Sequence, residues 1–361
     1  MDSRLLTTLN AQASGTTDPA VWAKAVCRAA SHFARHGMTR EALNSIDVVR
    51  GQFTNQLNHE VASWLMLAEG VLHYFQSRPK EAYDRIRHAY GLAVAMETKS
   101  ALPTCAAWMA HIEFNDCRYE RMSMYVEESL LSAAKDDHQA RARASLVLGN
   151  AFMLAGDFSY ARPWYEKARL CAAVEGDETT LSAMLYNVAA FRASNVRLAD
   201  SFGMETAKEA HRAGMETSSS YVYDHMIATQ VFDFSTKMLR GLLFTIEKRY
   251  PEALEILNSI DLSTLPARMH SLVHVDIAWC ATNLGLGEQC AAHSKVAVAG
   301  LEDISEDDDA AYVESRLSQI AFKLGNNQEG LKYLTSAQLR LDIHKNFQSV
   351  LLKRLLEIRT S

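Results

Sequence analysis

Glycine and proline are scarce. The 361-residue chain holds 16 glycines and 6 prolines, 22 in all or about 6%, against roughly 12% in average usage. So few turn-makers argue against a multi-stranded β fold with its many tight turns. The six cysteines, Cys27, Cys105, Cys117, Cys171, Cys280 and Cys290, form no CxxC pair. They are too sparse for a secreted disulfide scaffold and read as small core residues in a reducing cytoplasm. No stretch approaches the roughly 18 uninterrupted apolar residues of a membrane helix, and the N-terminus has no apolar core of signal-peptide length. Cytoplasmic localisation without membrane attachment is therefore expected. An excess of positive charge is missing too: 37 Lys and Arg face 43 Asp and Glu, a net charge of -6. A basic domain is the usual footprint of nucleic-acid binding, so direct binding is not expected, although a local basic face is compatible with this balance.

Recognisable chemistry is also missing. There is no GxxxxGK[ST] phosphate loop, no dinucleotide glycine fingerprint, no HExxH and no GxSxG elbow. His270 and His274 share a helical face at a spacing that can hold a metal, but no third ligand is apparent. The acidic run Glu302, Asp303, Glu306, Asp307, Asp308 and Asp309 lacks EF-hand spacing and suits a helix N-terminus. No catalytic residue, metal site or cofactor is expected, and the protein is read as not an enzyme.

What is present is helical. Hydrophobic residues make up 48% and charged residues 22%, a globular balance that excludes wholesale disorder. The length suits two or three domains or one repeat array. All six prolines, Pro19, Pro79, Pro103, Pro163, Pro251 and Pro266, can be read as helix openings. Apolar residues between them recur at 3–4 spacing, as in Trp64, Leu67, Ala68, Val71, Leu72 and Phe75.

A repeat is visible. Small residues early in alternate helices mark it: Ala42, Ala82, Met122, Ala161, Ser201, Ala253, Cys290 and Gly330, at steps of 40, 40, 39, 40, 52, 37 and 40. Met122 is a large misfit. Gly37, Gly156, Gly285 and Gly325 each stand five residues before their marker. The segment 148–168 carries a Leu-Gly pair, an aromatic three residues later, Gly-Asp-aromatic at the turn, then Ala161, Tyr165 and Ala168. It resembles the tetratricopeptide repeat. In that pattern Gly149 and Ala161 are small where two antiparallel helices cross, and Phe152, Tyr165 and Ala168 fill the layer between them. The ordinary unit is about 34 residues. Units near 40 resemble those of bacterial sensor and regulator scaffolds, over roughly residues 18–345. The helix-turn-helix and phosphatase-contacting domains that often accompany such regulators are not recognisable.

The resemblance implies an all-α, right-handed superhelical solenoid of about eight helix-turn-helix units. An N-terminal extension (1–17) precedes a first block of about five units (18–213). A second block of about three (214–345) leads to a C-terminal capping helix (346–361). The long step places extra material near 214–226. It is either a tolerated insertion or a hinge or contact element; its serine run reads as a loop or helix start, and 224–248 as one long helix.

In this family the first helix of each hairpin faces a concave groove. The resemblance then puts Arg143, Leu146, Asn150 and Met153 in that groove, continuing to Asn187, with Tyr221 and Tyr223 flanking it. Asn150 and Asn187 fall where the family's carboxylate clamp has asparagines, but Leu146 and Leu239 replace its basic residues, so no clamp is expected. Two readings of the asparagines stay open: peptide-backbone binding or interhelical polar contacts. Leu351, Leu352, Leu355 and Leu356 form a stripe that either closes the array's open end or supports a homo-oligomer. The leading function is an adaptor binding a partner protein or peptide. The alternatives are a signal receptor closing on a short peptide or small ligand, and an accessory subunit of a larger effector or nucleoprotein complex.

Overall fold

The computed structural model describes residues 3–54, 58–229, 231–265 and 267–360; Pro266 lies outside them. Among the described residues every regular element is helical. A first helix, α1 (Arg4–Ser14), precedes eight pairs. The pairs are α2 (Pro19–Arg35) with α3 (Thr39–Gln52), α4 (His59–Phe75) with α5 (Pro79–Ala95), α6 (Leu102–Asn115) with α7 (Tyr119–Ser132), and α8 (His138–Leu154) with α9 (Phe158–Glu175). They continue as α10 (Glu178–Ser201) with α11 (Ala207–Met226), α12 (Asp233–Ile246) with α13 (Tyr250–Asn258), α14 (Ala267–Leu284) with α15 (Gly287–Ala299), and α16 (Asp307–Lys323) with α17 (Asn327–Leu356). Short turns join most pairs, and first helices also pack on first helices, as α2 does on α4 and α14 on α16. No helix among the described residues is long and apolar enough to cross a membrane.

Local chemistry explains the ends. Asp18 and Asp157 cap α2 and α9 by accepting from the amides of Ala20 (2.8 Å) and Ser159 (2.9 Å). Pro19 and Pro79 open α2 and α5, and Pro103 and Pro251 are second in α6 and α13. Pro163 does not open a helix: it is the sixth residue of α9, where it forfeits one i→i−4 bond. The acidic run ends in the first turn of α16, with Asp307, Asp308 and Asp309 at the positive end of that helix.

The repeat is sharper in the backbone than in the sequence. Ala42, Ala82, Met122, Ala161, Ala253, Cys290 and Gly330 are each the fourth residue of their second helix, and all are buried. Ser201 breaks the rule, because it is the last residue of α10. The fourth residue of α11 is Ala210, also buried. The steps around it are therefore 49 (161 to 210) and 43 (210 to 253), so the extra length is shared by two intervals. Five residues before the marker the chain takes a left-handed conformation in seven of the eight hairpins. Glycine supplies it at Gly37, Gly156, Gly285 and Gly325, but Ser77, Cys117 and Lys248 adopt it at the other three. Non-glycine residues do so rarely, which is why those turns carry no sequence mark.

A second spacing sets how closely the paired helices approach. A Cβ built on Gly70 would stand 2.4 Å from Ile86 Cγ1, one on Gly149 2.9 Å from the Tyr165 ring, and one on Gly241 2.7 Å from Leu257 Cδ2. Each partner is 16 residues later. Gly70→Ala is expected to cost about 1–3 kcal/mol through overpacking. Gly91, exposed in α5 with nothing within 4 Å of its would-be Cβ, is expected to gain about 0.5–1 kcal/mol as alanine. Urea unfolding of the two variants checks the contrast; equal shifts would show that Ile86 yields freely.

Other expectations change. The N-terminal extension is largely helix: α1 buries Leu5, Leu6 and Leu9 with Ala25 and Ala29 of α2. The serine run lies inside α11 rather than in a loop, where Thr217 and Ser219 hydroxyls donate to the Ala213 (2.8 Å) and Met215 (2.9 Å) carbonyls. The long helix expected over 224–248 is two, interrupted after Met226, with Ala228 at φ 53. The C-terminal segment is not a separate helix but the end of the 30-residue α17.

The chain forms two compact units. The first comprises 1–184, 224–231 and 351–361, and the second 185–223 and 232–350. In the first, the N-terminal hairpin meets the junction of α9 and α10: Arg28 pairs with Glu175, Arg35 Nη1 lies 2.9 Å from Asp177 Oδ2, and Arg4 donates to the Ala173 carbonyl. In the second, α10, α11 and α12 share a core of Ala189, Ala193, Val196, Ala210, Leu239 and Leu243.

Candidate binding cleft

First and second helices bury different amounts of surface. In α5 the buried residues are Ala82, Ile86, Ala89 and Ala93, and in α9 Ala161, Tyr165, Ala168 and Ala172. Both are single stripes of an amphipathic helix. In α8, residues 142–153 are buried without a break, so that helix is enclosed on every side.

This enclosure decides the fate of the predicted groove residues. Arg143, Leu146, Asn150 and Met153 are all interior. The Arg143 guanidinium lies 4.2 Å from the centroid of the Trp108 ring. Tyr74 and His111 pack edge-on against that ring and each other. Burial, with Arg35 nearby, pulls the Arg143 pKa down to about 10. Burial likewise pulls His111 down to about 3. Asn150 Oδ1 accepts from the Tyr165 hydroxyl at 2.8 Å, the interhelical role that was one of its two readings. The face expected to hold a peptide is occupied by the protein's own side chains. Asn187, Tyr221 and Tyr223 are half-buried and belong to the second unit, so the seven residues do not come from one unit. In the C-terminal stripe Leu351 and Leu355 are buried within the monomer and Leu356 is exposed. His274 is not set with His270: its Nδ1 lies 2.7 Å from Nδ1 of His293, while His270 Nε2 faces the Leu265 carbonyl at 3.3 Å.

An open feature of the first unit lies on second helices. A cleft of about 1040 Å³ runs between α5 and α7. Tyr83, Arg87 and Tyr90 of α5 face it, with Arg121, Met124, Tyr125 and Glu128 of α7 and Arg359 of the C-terminal tail. The spacings 83/87/90 and 121/124/125/128 each fall on one helical face. Tyr90 donates to Glu128 Oε2 at 2.6 Å and stands edge-on to Tyr125, ring centroids 5.0 Å apart. Burial first, then that hydrogen bond and the Glu128 charge, push the Tyr90 hydroxyl's pKa upward, so it stays a protonated donor. Arg359 Nε pairs with Glu127 at 2.6 Å. With Glu127 and Glu128 engaged, Arg87 and Arg121 stand exposed and have no ion-pair partner among the described residues. Met124 is 67% exposed. The cleft thus offers tyrosine faces, a flexible apolar side chain and two available guanidinium groups, a set that can hold an acidic and apolar segment by stacking, packing and bidentate pairing.

Sequence reasoning missed this cleft because it looked only at first helices. The signal was the tyrosine–arginine spacing on the second helices, legible once the hairpins are paired. No protein-family model matches the chain, and no curated protein matches it.

Proposed function

We propose that the chain is a non-catalytic interaction scaffold, a cytoplasmic tetratricopeptide-like array with right-handed superhelical stacking, that docks an acidic, apolar segment of a partner protein between α5 and α7. The markers at the fourth residue of the second helices support the repeat reading. The observation that carries the docking reading is the pairing state of the cleft: its acids are engaged and two of its arginines are not. Arginine and tyrosine are also the residue types that dominate binding energy at interfaces.

The test is affinity capture from the native cell with the full chain and with the Arg87→Glu, Arg121→Glu double variant. Both positions are exposed, so the variant should fold and melt as wild type does. A partner retained by wild type and lost at least about tenfold by the variant is expected, the effect of two reversed charges meeting an acidic segment. Equal retention would remove the cleft from the reading, and no partner at all would remove the scaffold.

A second reading, a receptor that rearranges on binding, has one observation in its favour. The tail is tied to α7 at the cleft by Arg359 to Glu127, and the end of α17 just before it by Arg354 to Glu120 (3.2 Å). An acidic ligand there would compete for Arg359 and release the tail. Greater protease sensitivity of 357–360 when partner is bound would favour it.

A further inference from the structure

His32 lies in the last turn of α2 and His36 is the residue that caps its C-terminus; four positions apart, they share a face. Glu178, the first residue of α10, reaches both: its Oε1 lies 3.3 Å from His32 Nε2 and 3.5 Å from His36 Nε2. One ligand atom from each of the three lies within 4.8 Å of the others. In a tetrahedral zinc site with bonds of about 2.0–2.2 Å, ligand atoms stand about 3.3–3.5 Å apart, which is the spacing of both histidine–glutamate edges.

The surroundings favour a cation. The side chains of His32 and His36 are 0% and 1% exposed and that of Glu178 16%. Among the described residues His36 Nδ1 has no hydrogen-bond partner, and Nε2 meets only Glu178, at an ion-pair distance too long and bent for a good hydrogen bond, although buried polar atoms are nearly always partnered. Its Nε2 points at Glu178. Arg28 pairs with Glu175 and Arg35 with Asp177, and Glu178 has no arginine or lysine partner among the described residues, although the Arg143 charge lies near Arg35 and Asp177. His32 Nδ1 is 4.0 Å from Asp177 Oδ1, beyond hydrogen-bond distance, and has no hydrogen-bond partner among the described residues. The Ser3 hydroxyl, 3.2 Å from His32 Nε2, stands at the fourth side of the cluster.

We propose that His32, His36 and Glu178 bind one divalent transition-metal ion of the zinc class, with Ser3 or a water completing the shell. The ion fastens the first hairpin to the start of α10 within the first unit, joining residues more than 140 positions apart in sequence. Imidazole and carboxylate ligands suit zinc, cobalt and nickel better than magnesium or calcium. The role is structural: both histidines are buried, Glu178 is half-buried, and the junction between the end of α2 and the start of α10 is already held by the Arg35–Asp177 pair. The site is separate from the α5–α7 cleft, and neither reading depends on the other.

The test uses the full-length protein, stripped with a chelator and titrated with cobalt chloride, then zinc chloride. One equivalent of cobalt is expected to give the visible absorption of a four-coordinate nitrogen–oxygen site, bleached by one equivalent of zinc. Zinc should raise the melting temperature of the wild-type protein. His36→Gln and Glu178→Gln are each expected to weaken zinc binding at least about 100-fold, since even outer-shell changes cost 10–100-fold. A His274→Ala, His293→Ala variant should keep the wild-type cobalt spectrum, so the assignment holds even if the ligand variants fail to fold. Absence of a cobalt band and of zinc stabilisation in the wild-type protein would overturn the proposal. So would loss of the band on removing His274 and His293, or unchanged zinc affinity in a folded His36→Gln.

Discussion

Arg316→Ala is expected to destabilise the second unit by up to about 3–5 kcal/mol, the cost of breaking a fully buried charge pair, because Arg316 is buried although its partner Asp200 keeps some solvent access. Arg316 is 1% exposed on α16. Its guanidinium pairs with Asp200, donates to Gln319 Oε1 at 2.8 Å, and lies 5.1 Å from the Trp279 ring centroid. Burial pulls its pKa down, but Tyr312 and Asp200 outweigh that and hold it above the ordinary value. The arginine is thus charged and fully used. Without it, the Asp276 carboxyl, already pushed up by burial and held back by Tyr312, Arg197 and Arg316, loses one of two compensating cations. Arg316→Lys should recover only part of the loss, because an ammonium lacks the planar fork. Arg212→Ala, at an exposed pair with Glu216, should change stability by no more than about 1 kcal/mol. Calorimetry of the three variants checks the order. A loss in Arg316→Ala as small as in Arg212→Ala would show that water repairs the site.

Asp177→Asn is expected to cost the first unit about 3–5 kcal/mol for the same class of reason. Asp177 immediately precedes α10 and has two tasks. Its Oδ2 accepts from Arg35 at 2.9 Å and from the Thr180 hydroxyl at 2.8 Å, while its Oδ1 accepts from the Thr180 amide at 3.1 Å and the Thr179 hydroxyl at 2.8 Å. Asparagine keeps the capping oxygen and removes the charge, leaving Arg35 buried and unpaired. Asp177→Ala removes both and should lose a further 0.5–2 kcal/mol or so from the missing cap. Melting in the presence of chelator isolates this pair from the neighbouring histidine–glutamate cluster. A loss below about 1 kcal/mol in the asparagine variant would mean that apolar packing, not this ion pair, holds α2 against the start of α10.

The architecture was legible because helices announce themselves locally. Periodic apolar residues, a proline or aspartate at the start and a small fourth residue identified most hairpins without any long-range information. The reading failed where local cues ran out. Ser77, Cys117 and Lys248 make left-handed turns that only glycine would have marked. Ser201 looked like a marker because a small residue fits both a helix crossing and a helix end; Ala210 holds the position only because α11 packs there. The serine run looked like a loop, since nothing in it reveals that the hydroxyls would return to the preceding turn.

Sites fared worse, for a reason that is physical rather than a shortage of motifs. A one-dimensional repeat tells which helix is first in its hairpin, but not what covers that helix. In α8 the covering is complete, so the residues that a groove needs became core, and Asn150 found Tyr165. The cleft appeared instead where α5 and α7 present arginines and tyrosines on their outer faces, a pattern present in the sequence but without meaning until two second helices lie side by side. The four-residue spacing of His32 and His36 is in the sequence but was not singled out, and Glu178, far along the chain, becomes their neighbour only when the N-terminal hairpin meets the start of α10. Helical periodicity, set by the backbone's 3.6-residue turn, was determined by the sequence alone. Which side chains meet across more than a hundred residues was decided by tertiary packing, because those contacts depend on how successive hairpins stack and not on spacing within any one of them.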